Sequence, residues 1–254
     1  MMHFRTIQAK FESFGFDVVQ EFNTKWYNQI KPKQLKKLPE KIPNGSYAIL
    51  IGNSKAIWPK FLEFFKKNPT LEDPLDNYVK KVTFEIMEET ITREDYVCYF
   101  SCDTSTEKLV AFQKLSHVSG TSVLIDPIHL CIHENFGVWF ALRAAIVFPN
   151  IDPQVVDMPT PLSLPISPEE IQQASEILGK AIAASQSKEK EAWKIWVEMR
   201  DTISYQREYR YDWAQIVYHY TKSKADLKKS CKFNITLRLF MKLIRQSNFF
   251  THNQ

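Results

Sequence analysis

Residues 139–148 read Trp139-Phe140-Ala141-Leu142-Arg143-Ala144-Ala145-Ile146-Val147-Phe148, an almost wholly apolar run that contains one arginine. A continuous apolar run bounded by turn residues is typical of a buried strand, and we predict a strand over 138–148. A second compact run, Ser46-Tyr47-Ala48-Ile49-Leu50-Ile51-Gly52, predicts another buried strand. The two runs place a sheet within the first 150 residues.

The rest of the chain divides at about residue 150. Six of the 13 prolines lie between Pro149 and Pro168, which indicates an extended connector. Strands before the connector and helices after it predict an α+β fold. We expect a single domain over 1–254, in which the mainly helical 168–254 packs on a sheet-rich core, 1–150. Further strands are predicted at 16–19, 96–102 and 121–133, and helices at 3–14, 55–67, 74–90, 107–116, 168–185, 188–204, 207–220 and 234–245.

The composition excludes several classes of protein. The 254 residues are 44% hydrophobic and 24% charged, which is ordinary for a globular chain with one large core. A net charge of +4 is too small to indicate nucleic-acid binding by itself. The sequence contains no run of about 18 apolar residues, so it predicts no membrane span. The N-terminus has no secretory leader pattern. The four cysteines show no disulfide spacing, so we expect a cytoplasmic protein with reduced thiols.

Arg143 is the most informative single residue, because its neighbours are apolar for several positions on both sides. A guanidinium stays charged at physiological pH and cannot be buried without a partner. Two interpretations remain open. Either an internal carboxylate pairs with Arg143, or the planar fork faces a pocket that binds the carboxylate or phosphate of a ligand.

Histidines and cysteines add two hypotheses. His117, at a predicted helix-to-strand junction, either exchanges a proton near neutral pH or is a hydrogen-bonded core residue. His129, Cys131 and His133 alternate along the predicted strand 121–133, which would place them on one face. Zinc and copper prefer such ligands, but the spacing matches no metal motif. We therefore predict a polar face that lines a cavity, with no metal held by protein side chains.

Three compositional features remain ambiguous. The stretch 222–245 carries eight lysines and arginines against Asp226 alone, which is typical of a solvated helix face and less often of a site for nucleic acid or an acidic membrane. Aromatic residues make up 13% of the chain, which suits either an aromatic core or a wall for a large flat ligand. The six glycines argue against a glycine-rich phosphate loop.

One segment resembles a known family. Residues 131–143 read Cys131-Ile132-His133-Glu134-Asn135-Phe136-Gly137-Val138-Trp139-Phe140-Ala141-Leu142-Arg143. This segment resembles the C-I-H-P-x-F-G-G-W-F-A-x-R pattern of the cblC-type cobalamin-processing family, that of methylmalonic aciduria and homocystinuria type C. The resemblance extends over roughly residues 10–220, where supporting matches in the same order are Phe14-Gly15-Phe16-Asp17-Val18, Trp26-Tyr27-Asn28, Asp73-Pro74-Leu75-Asp76, Gln113 followed by His117-Val118-Ser119-Gly120, and Phe148-Pro149-Asn150-Ile151.

The resemblance implies a fold related to flavin-dependent nitroreductases, with an antiparallel sheet flanked by helices. It implies a cytosolic enzyme and carrier that binds cobalamin base-off and removes its upper axial ligand. Two reactions are implied: glutathione-dependent dealkylation of alkylcobalamins, and decyanation of cyanocobalamin assisted by a transiently bound flavin, FMN or FAD. A downstream cobalamin-trafficking protein is an implied partner, and a homodimer remains an open alternative.

The same resemblance implies the site residues. Arg143 and Arg200 are expected to hold the two carboxylates of glutathione, and His117 is expected to be catalytic. The residues expected to bind cobalamin are Gln113, His117, Ser119, Gly120, Cys131, Ile132, His133, Phe136 and Gly137.

Departures from the family pattern bear on the activity. The family's third arginine has no secure match, and the corresponding position falls near Asp226. The stretch 121–127 replaces a longer, tyrosine-rich segment. Val138 replaces the second glycine of a pair, which restricts the backbone and crowds a ligand. A non-catalytic cobalamin chaperone is therefore one alternative, and a flavin reductase or nitroreductase-like enzyme without cobalamin is another.

Overall fold

The computed structural model of the chain describes residues 4–91, 95–153 and 156–231. Four strands form an antiparallel sheet, and two short strands form a separate hairpin. The sheet strands are β1 (Val18–Asn23), β2 (Tyr47–Asn53), β3 (Val97–Phe100) and β6 (Ala141–Phe148), and the hairpin strands are β4 (Val123–Ile125) and β5 (Leu130–Ile132). The order in the sheet is β1-β2-β6-β3, so both strands predicted from apolar runs are central.

Helices flank the sheet and make up most of the chain after residue 168. They are α1 (Phe4–Ser13), α2 (Thr24–Ile30), α3 (Ile57–Lys67), α4 (Pro74–Thr90), α5 (Phe112–Val118), α6 (Pro168–Gln186), α7 (Ala192–Asp201) and α8 (Trp213–Thr221), with 3-10 turns at Asp126–Ile128 and Arg207–Tyr209. The start of α6 is a capping box, in which Ser167 and Glu170 satisfy each other's backbone N–H groups. None of the helices in the described ranges is both long enough and apolar enough to cross a bilayer.

The continuous apolar sequence of β2 and β6 follows from burial of both faces of the sheet. On one face, Ile49 and Ile146 pack against α1, α3 and α4. On the other face, Leu50 and Val147 pack against α2 and α5. The mixed fold and the antiparallel sheet predicted from the sequence are therefore confirmed.

A third cluster of buried side chains joins the hairpin to the C-terminal helices. Ile132 of β5 and Trp139, just before β6, pack with Ile177 of α6, Met199 of α7 and Ile216 of α8. This cluster brings the loop between β5 and β6 against the helical part of the chain. The residues of the sequence motif 131–143 therefore lie where the sheet and the C-terminal helices meet.

The prediction of one strand over 121–133 is wrong. The segment folds back on itself as β4, a 3-10 turn and β5. Pro127 lacks a backbone N–H for a ladder and starts the turn readily, and His129 ends it with a left-handed φ of 51°. A side chain at residue 129 therefore no longer alternates with those at 131 and 133.

Several other boundaries differ from the predictions. The helix predicted at 107–116 begins only at Phe112, because the N–H of Ala111 donates to the Tyr27 hydroxyl instead. The helix predicted at 188–204 is shorter, because Lys188 has a positive φ and α7 spans only Ala192–Asp201. The helix predicted at 207–220 is a 3-10 turn at Arg207–Tyr209 followed by α8 from Trp213. Strand β1 extends beyond the predicted 16–19, and β3 ends before residue 101. Helix α2 was not predicted. The helix predicted at 234–245 lies outside the described residues.

Candidate functional site

Within the described ranges, three of the cavities around the β4–β5 hairpin and the loop that leads into β6 are lined by predicted site residues. The arginine cavity, about 280 Å³, is lined by residues of α5, β5, β6, α7 and α8, including Arg143 and Arg200. The apolar cavity, about 290 Å³, lies between α2, α5 and the proline-rich connector. The polar cavity, about 230 Å³, lies between β1 and the loop after β5.

A β-bulge places Arg143 at the arginine cavity. In the register of β2 with β6, Ile51 pairs with Ala144 and Gly52 pairs with Leu142, so Arg143 is the extra residue. Bulges redirect a side chain and are common beside functional sites. The side chain of Arg143 is 8% exposed and also lines the cavity wall.

The partner of Arg143 is an amide and not a carboxylate. Its Nε donates to Asn53 Oδ1 over 2.6 Å. In the ranges that the structure describes, no aspartate or glutamate forms an ion pair with Arg143. Burial lowers the pKa of Arg143 from its ordinary value, which means that the buried charge lacks full compensation. Of the two interpretations left open by the sequence, the ion pair with an internal carboxylate is not found among the described residues, and the pocket that takes an anion stays a prediction.

Arg200 reaches the same cavity across an aromatic wall. Its guanidinium carbon lies 5.6 Å from the ring centroid of Trp139 and 5.9 Å from that of Tyr220. Arg210 lies 5.2 Å from the centroid of the same tryptophan, but it pairs with both carboxylate oxygens of Asp201. Arg200 forms no such pair with any described carboxylate, so its charge remains open to a ligand.

Helix α8 and the residues around it add groups that the sequence analysis missed. His219 lines the arginine cavity. Burial and the charges of Arg200 and Arg143 lower the pKa of His219 to about 2, so its ring is neutral. Partial burial and the charge of Arg143 lower the pKa of Lys222, which makes Lys222 a third cation close to this site.

Tyr211 is a buried phenol close to both arginines. Its hydroxyl is buried and has no hydrogen-bond partner among the described residues. Burial raises the pKa of Tyr211 to about 12, while the charges of Arg143 and Arg200 act in the opposite direction. The hydroxyl therefore keeps its proton and remains a free donor.

Cys131 is the thiol of the arginine cavity. Its Sγ lies 3.6 Å from the carbonyl oxygen of Gln113. Burial raises the pKa of Cys131 to about 11, against the opposing effects of Ser122 and Arg200. The side chain is therefore a neutral thiol at physiological pH and not a nucleophilic thiolate.

The apolar cavity contains His117. The N–H of Leu124 donates to His117 Nδ1 over 3.4 Å, which assigns the proton of a neutral ring to Nε2. Trp26 and Pro159 are among the apolar residues of the wall. Gly120, with a φ of 73°, lies against Pro159 so closely that a Cβ at this position would be 2.4 Å from the proline Cβ.

The polar cavity contains His133 and Phe136, whose rings are tilted by 33° with centroids 4.7 Å apart. The N–H of Asn135 donates to His133 Nδ1 over 3.0 Å. Burial lowers the pKa of His133 to about 4, so this ring is also neutral. The polar and apolar cavities share Gly120 and Leu162, and the two cavities therefore adjoin.

The structure distributes the predicted site residues around these cavities. Ser119 and Ile132 are fully buried and line none of the three. Gly137 adopts a φ of 57° against the carbonyl of Tyr205 and shapes the loop. Gln113, Cys131, Arg143 and Arg200 line the arginine cavity, His117 and Gly120 line the apolar cavity, and Gly120, His133 and Phe136 line the polar cavity.

The shared face expected for His129, Cys131 and His133 does not form. His129 is exposed at the end of the 3-10 turn, whereas Cys131 and His133 belong to different cavities. In the part of the chain that the structure describes, no group of three histidine, cysteine or acidic side chains could hold a metal ion. The hypothesis of one polar cavity face is therefore wrong for this set.

Comparison with protein families identifies the chain. Residues 15–228 match the profile of the Methylmalonic aciduria and homocystinuria type C family. The chain belongs to this family. The matched range contains every residue of the three cavities except Gln8 of the polar cavity.

Members of the family are similar to the chain at low identity. A protein of Mus musculus named cyanocobalamin reductase / alkylcobalamin dealkylase is 28% identical over 159 residues, which are 55% of this chain and 54% of that protein. The Homo sapiens protein of the same name is 27% identical over 163 residues, 58% of this chain and 56% of that protein. The matches thus span about half the length of these relatives.

A solved structure shows the same fold. It is described as a C. elegans B12-trafficking protein CblC, a human MMACHC homologue. The TM-score is 0.66, with 16% identity, over 88% of this chain and 93% of that chain. The fold of the family therefore extends through most of the chain.

Proposed function

We propose that the chain binds cobalamin beside the β4–β5 hairpin and transfers the upper alkyl group of alkylcobalamins to glutathione. The observation that carries this proposal is the pair Arg143 and Arg200, two cations that share a cavity wall and have no ion pair with a described carboxylate. The names of the relatives, cyanocobalamin reductase / alkylcobalamin dealkylase, support the same activity.

The arginine cavity suits glutathione by charge. Glutathione carries one carboxylate at each end, and a guanidinium binds a carboxylate through two parallel hydrogen bonds. In a cavity of low dielectric, such charge-assisted bonds are stronger than in water. Lys222 supplies further positive charge near Arg143, and the Tyr211 hydroxyl is available as a donor.

The adjoining apolar and polar cavities suit a large ligand with distinct parts. Each is somewhat smaller than the roughly 300–1,000 Å³ of ordinary ligand pockets, so cobalamin must span both. We infer that the corrin ring lies across Gly120 and the nucleotide tail enters the apolar cavity beside His117. Pro159 and Leu162 of the connector border this position.

The chain's contribution to dealkylation is positioning. The glutathione sulfur attacks the alkyl carbon, the carbon–cobalt bonding pair stays on cobalt, and Co(III) becomes Co(I). The thiol proton must leave before or during the attack. Arginines that hold both carboxylates convert an encounter in solution into a reaction within one site, which contributes several kcal/mol to lowering the barrier.

We include decyanation of cyanocobalamin in the proposal because the relatives are named cyanocobalamin reductase / alkylcobalamin dealkylase. We assign the paired cations of the arginine cavity to glutathione, and no lysine or arginine of the described residues lines the apolar or the polar cavity. These residues therefore do not fit the phosphate of FMN or FAD. We therefore derive no step through a flavin. The kinship with flavin-dependent nitroreductases likewise remains an inference from the family resemblance.

Further parts of the proposal concern the setting of the protein. We place the chain in the cytoplasm, because its four cysteines are free thiols. We infer that the chain is a single folded unit. We also infer that it delivers cobalamin to a downstream trafficking protein. The single unit is supported by one buried cluster in which Tyr218 and Leu227 pack with residues of the sheet. We keep a homodimer as an alternative, to be decided by sedimentation.

A second candidate, a non-catalytic cobalamin chaperone, is favoured by one observation. Val138 lines the arginine cavity where the family pattern has glycine, so a side chain is added to the wall of this cavity. Its φ is not left-handed, so the backbone itself is unstrained. A chaperone binds cobalamin but shows no glutathione-dependent loss of the alkyl group.

Titration with methylcobalamin tests the proposal. The purified chain is added to methylcobalamin in the dark, and the visible spectrum is followed with and without glutathione under anaerobic conditions. We expect a base-off spectrum on binding and formation of Co(I) only with glutathione. A base-off spectrum that glutathione leaves unchanged supports the chaperone, and an unchanged spectrum at saturating protein overturns both functions.

A further inference from the structure

We propose that the γ-glutamyl end of glutathione binds as a zwitterion where β6, α4 and α8 meet, with its α-carboxylate on Arg143 and Lys222 and its α-ammonium group on Asp76. This inference rests on the proposed function and deepens it, because it assigns the two ends of glutathione to different cations. The glycine carboxylate at the other end is then left to Arg200 of α7, which lines the arginine cavity together with Arg143.

Arg143 supplies a buried cation with unused donors. Its side chain is 8% exposed and lines the arginine cavity. Its Nε donates to Asn53 Oδ1, and its two terminal nitrogens have no hydrogen-bond acceptor among the described residues. A buried guanidinium with unsatisfied N–H groups is unfavourable until an acceptor reaches it, and a carboxylate is the acceptor that matches its planar shape. This residue therefore indicates where a carboxylate binds.

Asp76 is an acidic group close to two cations but not in contact with either. It lies in the first turn of α4 and is partly buried. Burial lowers the pKa of both Arg143 and Lys222, and the charge of Asp76 opposes that effect in each. Within the ranges that the structure describes, Asp76 forms no ion pair. The carboxylate is therefore near both cations and separated from them by more than a salt-bridge distance.

Packing between α4 and α8 fixes the position of the third charge. Leu75 at the start of α4 and Tyr218 of α8 belong to the same buried cluster as residues of β6. Lys222 ends α8 with a left-handed φ of 53°, and its Nζ lies 5.8 Å from the centroid of the Tyr218 ring. Lys222 itself is exposed. The packed junction thus holds a surface cation beside Asp76 and outside the buried arginine.

The γ-glutamyl end of glutathione matches this pattern of charge. Its α-carbon carries a carboxylate and an ammonium group side by side, whereas the glycine end carries a carboxylate alone. A carboxylate held by Arg143 and Lys222 has its ammonium neighbour close to Asp76, the carboxylate whose charge acts on both cations. A charge-assisted hydrogen bond to Asp76 then satisfies the ammonium group. The site therefore predicts selectivity for γ-glutamyl thiols over thiols that carry only carboxylates.

The test compares glutathione with glutaryl-cysteinyl-glycine, which keeps the thiol and both carboxylates but lacks the ammonium group. Anaerobic demethylation of methylcobalamin is measured against the concentration of each thiol. Cations alone would favour the more negative analogue. We instead expect the wild type to have a kcat/KM roughly tenfold or more higher with glutathione, and Asp76→Asn to reduce this preference to about twofold or less. Equal kcat/KM values in the wild type, or a preference that Asp76→Asn leaves unchanged, overturn the inference.

Two controls separate the possible failures. Asp73→Asn removes an exposed carboxylate just before α4 and should keep the wild-type preference, so equal effects of the two variants overturn the assignment to Asp76. Calorimetric binding of S-methylglutathione and of its deaminated analogue makes the same comparison without turnover. If Asp76→Asn does not fold, as judged by its melting curve, the wild-type preference decides. A wild-type chain that neither binds S-methylglutathione nor responds to glutathione contradicts the proposed function itself.

Discussion

Arg143 and Asn53 are joined by a hydrogen bond from Nε to Oδ1 over 2.6 Å, with both side chains buried. The bond fixes the guanidinium through one nitrogen, and the two terminal nitrogens have no hydrogen-bond acceptor among the described residues. An amide holds the arginine in place without neutralising it. A carboxylate at residue 53 would do both.

Asn53→Asp should therefore weaken the response to glutathione. The new carboxylate would pair with Arg143 and compete with the ligand, so we expect KM for glutathione to rise by roughly 10- to 100-fold, the effect of one strong charge-assisted interaction. Binding of methylcobalamin should remain. Steady-state kinetics and the base-off titration measure the two effects, and a KM equal to that of the wild type would show that Arg143 does not bind glutathione.

Lys222 is expected to replace part of the charge of the family's missing third arginine. The position of that arginine falls near Asp226, and Asp226 pairs with Lys229. We expect Lys222→Gln to raise KM for glutathione by roughly three- to tenfold at low salt, and less at high salt because exposed charges are screened. Lys228→Gln, on the exposed surface, is the matched control. Equal effects of the two variants would exclude a specific role for Lys222.

The buried histidines predict loss of stability in acid. Burial lowers the pKa of His133 to about 4, from an ordinary value of 6.5. The unfolded chain therefore binds a proton that the folded chain does not, so this contribution is complete above pH 6.5 and is lost as the pH falls towards 4. His219 continues the loss towards pH 2.

His133→Phe removes one part of this dependence. Phenylalanine can keep the tilted contact with Phe136 and the edge contact with Phe140 that the histidine makes. Urea unfolding at pH 7 and pH 4.5 should show a smaller difference in the free energy of unfolding for this variant than for the wild type. His129→Asn should retain the full difference. If the difference between pH 7 and pH 4.5 were as large in His133→Phe as in the wild type, His133 would not be buried as a neutral ring.

Gly120 should not tolerate a side chain. A Cβ there would meet Pro159 at 2.4 Å, in a left-handed backbone conformation. We expect Gly120→Ala to destabilise the fold by roughly 1–3 kcal/mol and to weaken binding of methylcobalamin. Gly179→Ala, exposed in α6 with nothing within 4 Å of the added carbon, should stabilise it by about 0.5–1 kcal/mol. Thermal melts of both variants measure the contrast, and an opposite order would contradict the geometry.

The sequence predicted the centre of the fold well because burial leaves a strong pattern. Strands β2 and β6 are covered on both faces, so their apolar runs were unambiguous. The hairpin was harder, because β4 and β5 together contain few residues and a turn at Pro127 breaks the alternation. Local turn geometry, and not hydrophobic pattern, determines which way such short segments face.

The candidate site was only partly predictable for a related reason. Arg143 was conspicuous because a single charge interrupts an apolar strand. His219 and Lys222 gave no such signal, since they belong to an ordinary amphipathic helix and a basic stretch. The significance of His219 depends on its place in the arginine cavity beside residues that are distant in the sequence, and that of Lys222 depends on its proximity to Arg143. Lys222 follows the end of α8 with a left-handed φ of 53°, so helical spacing gave no clue to it.

The response of demethylation to glutathione in Arg143→Gln tests the central claim most directly. Anaerobic loss of methylcobalamin is measured against glutathione concentration for this variant and for the wild type. The account predicts that glutathione activates the wild type with saturation. In the variant it predicts that the base-off spectrum persists and that the KM for glutathione rises by roughly 10- to 100-fold. Identical saturation curves for the two proteins would contradict it.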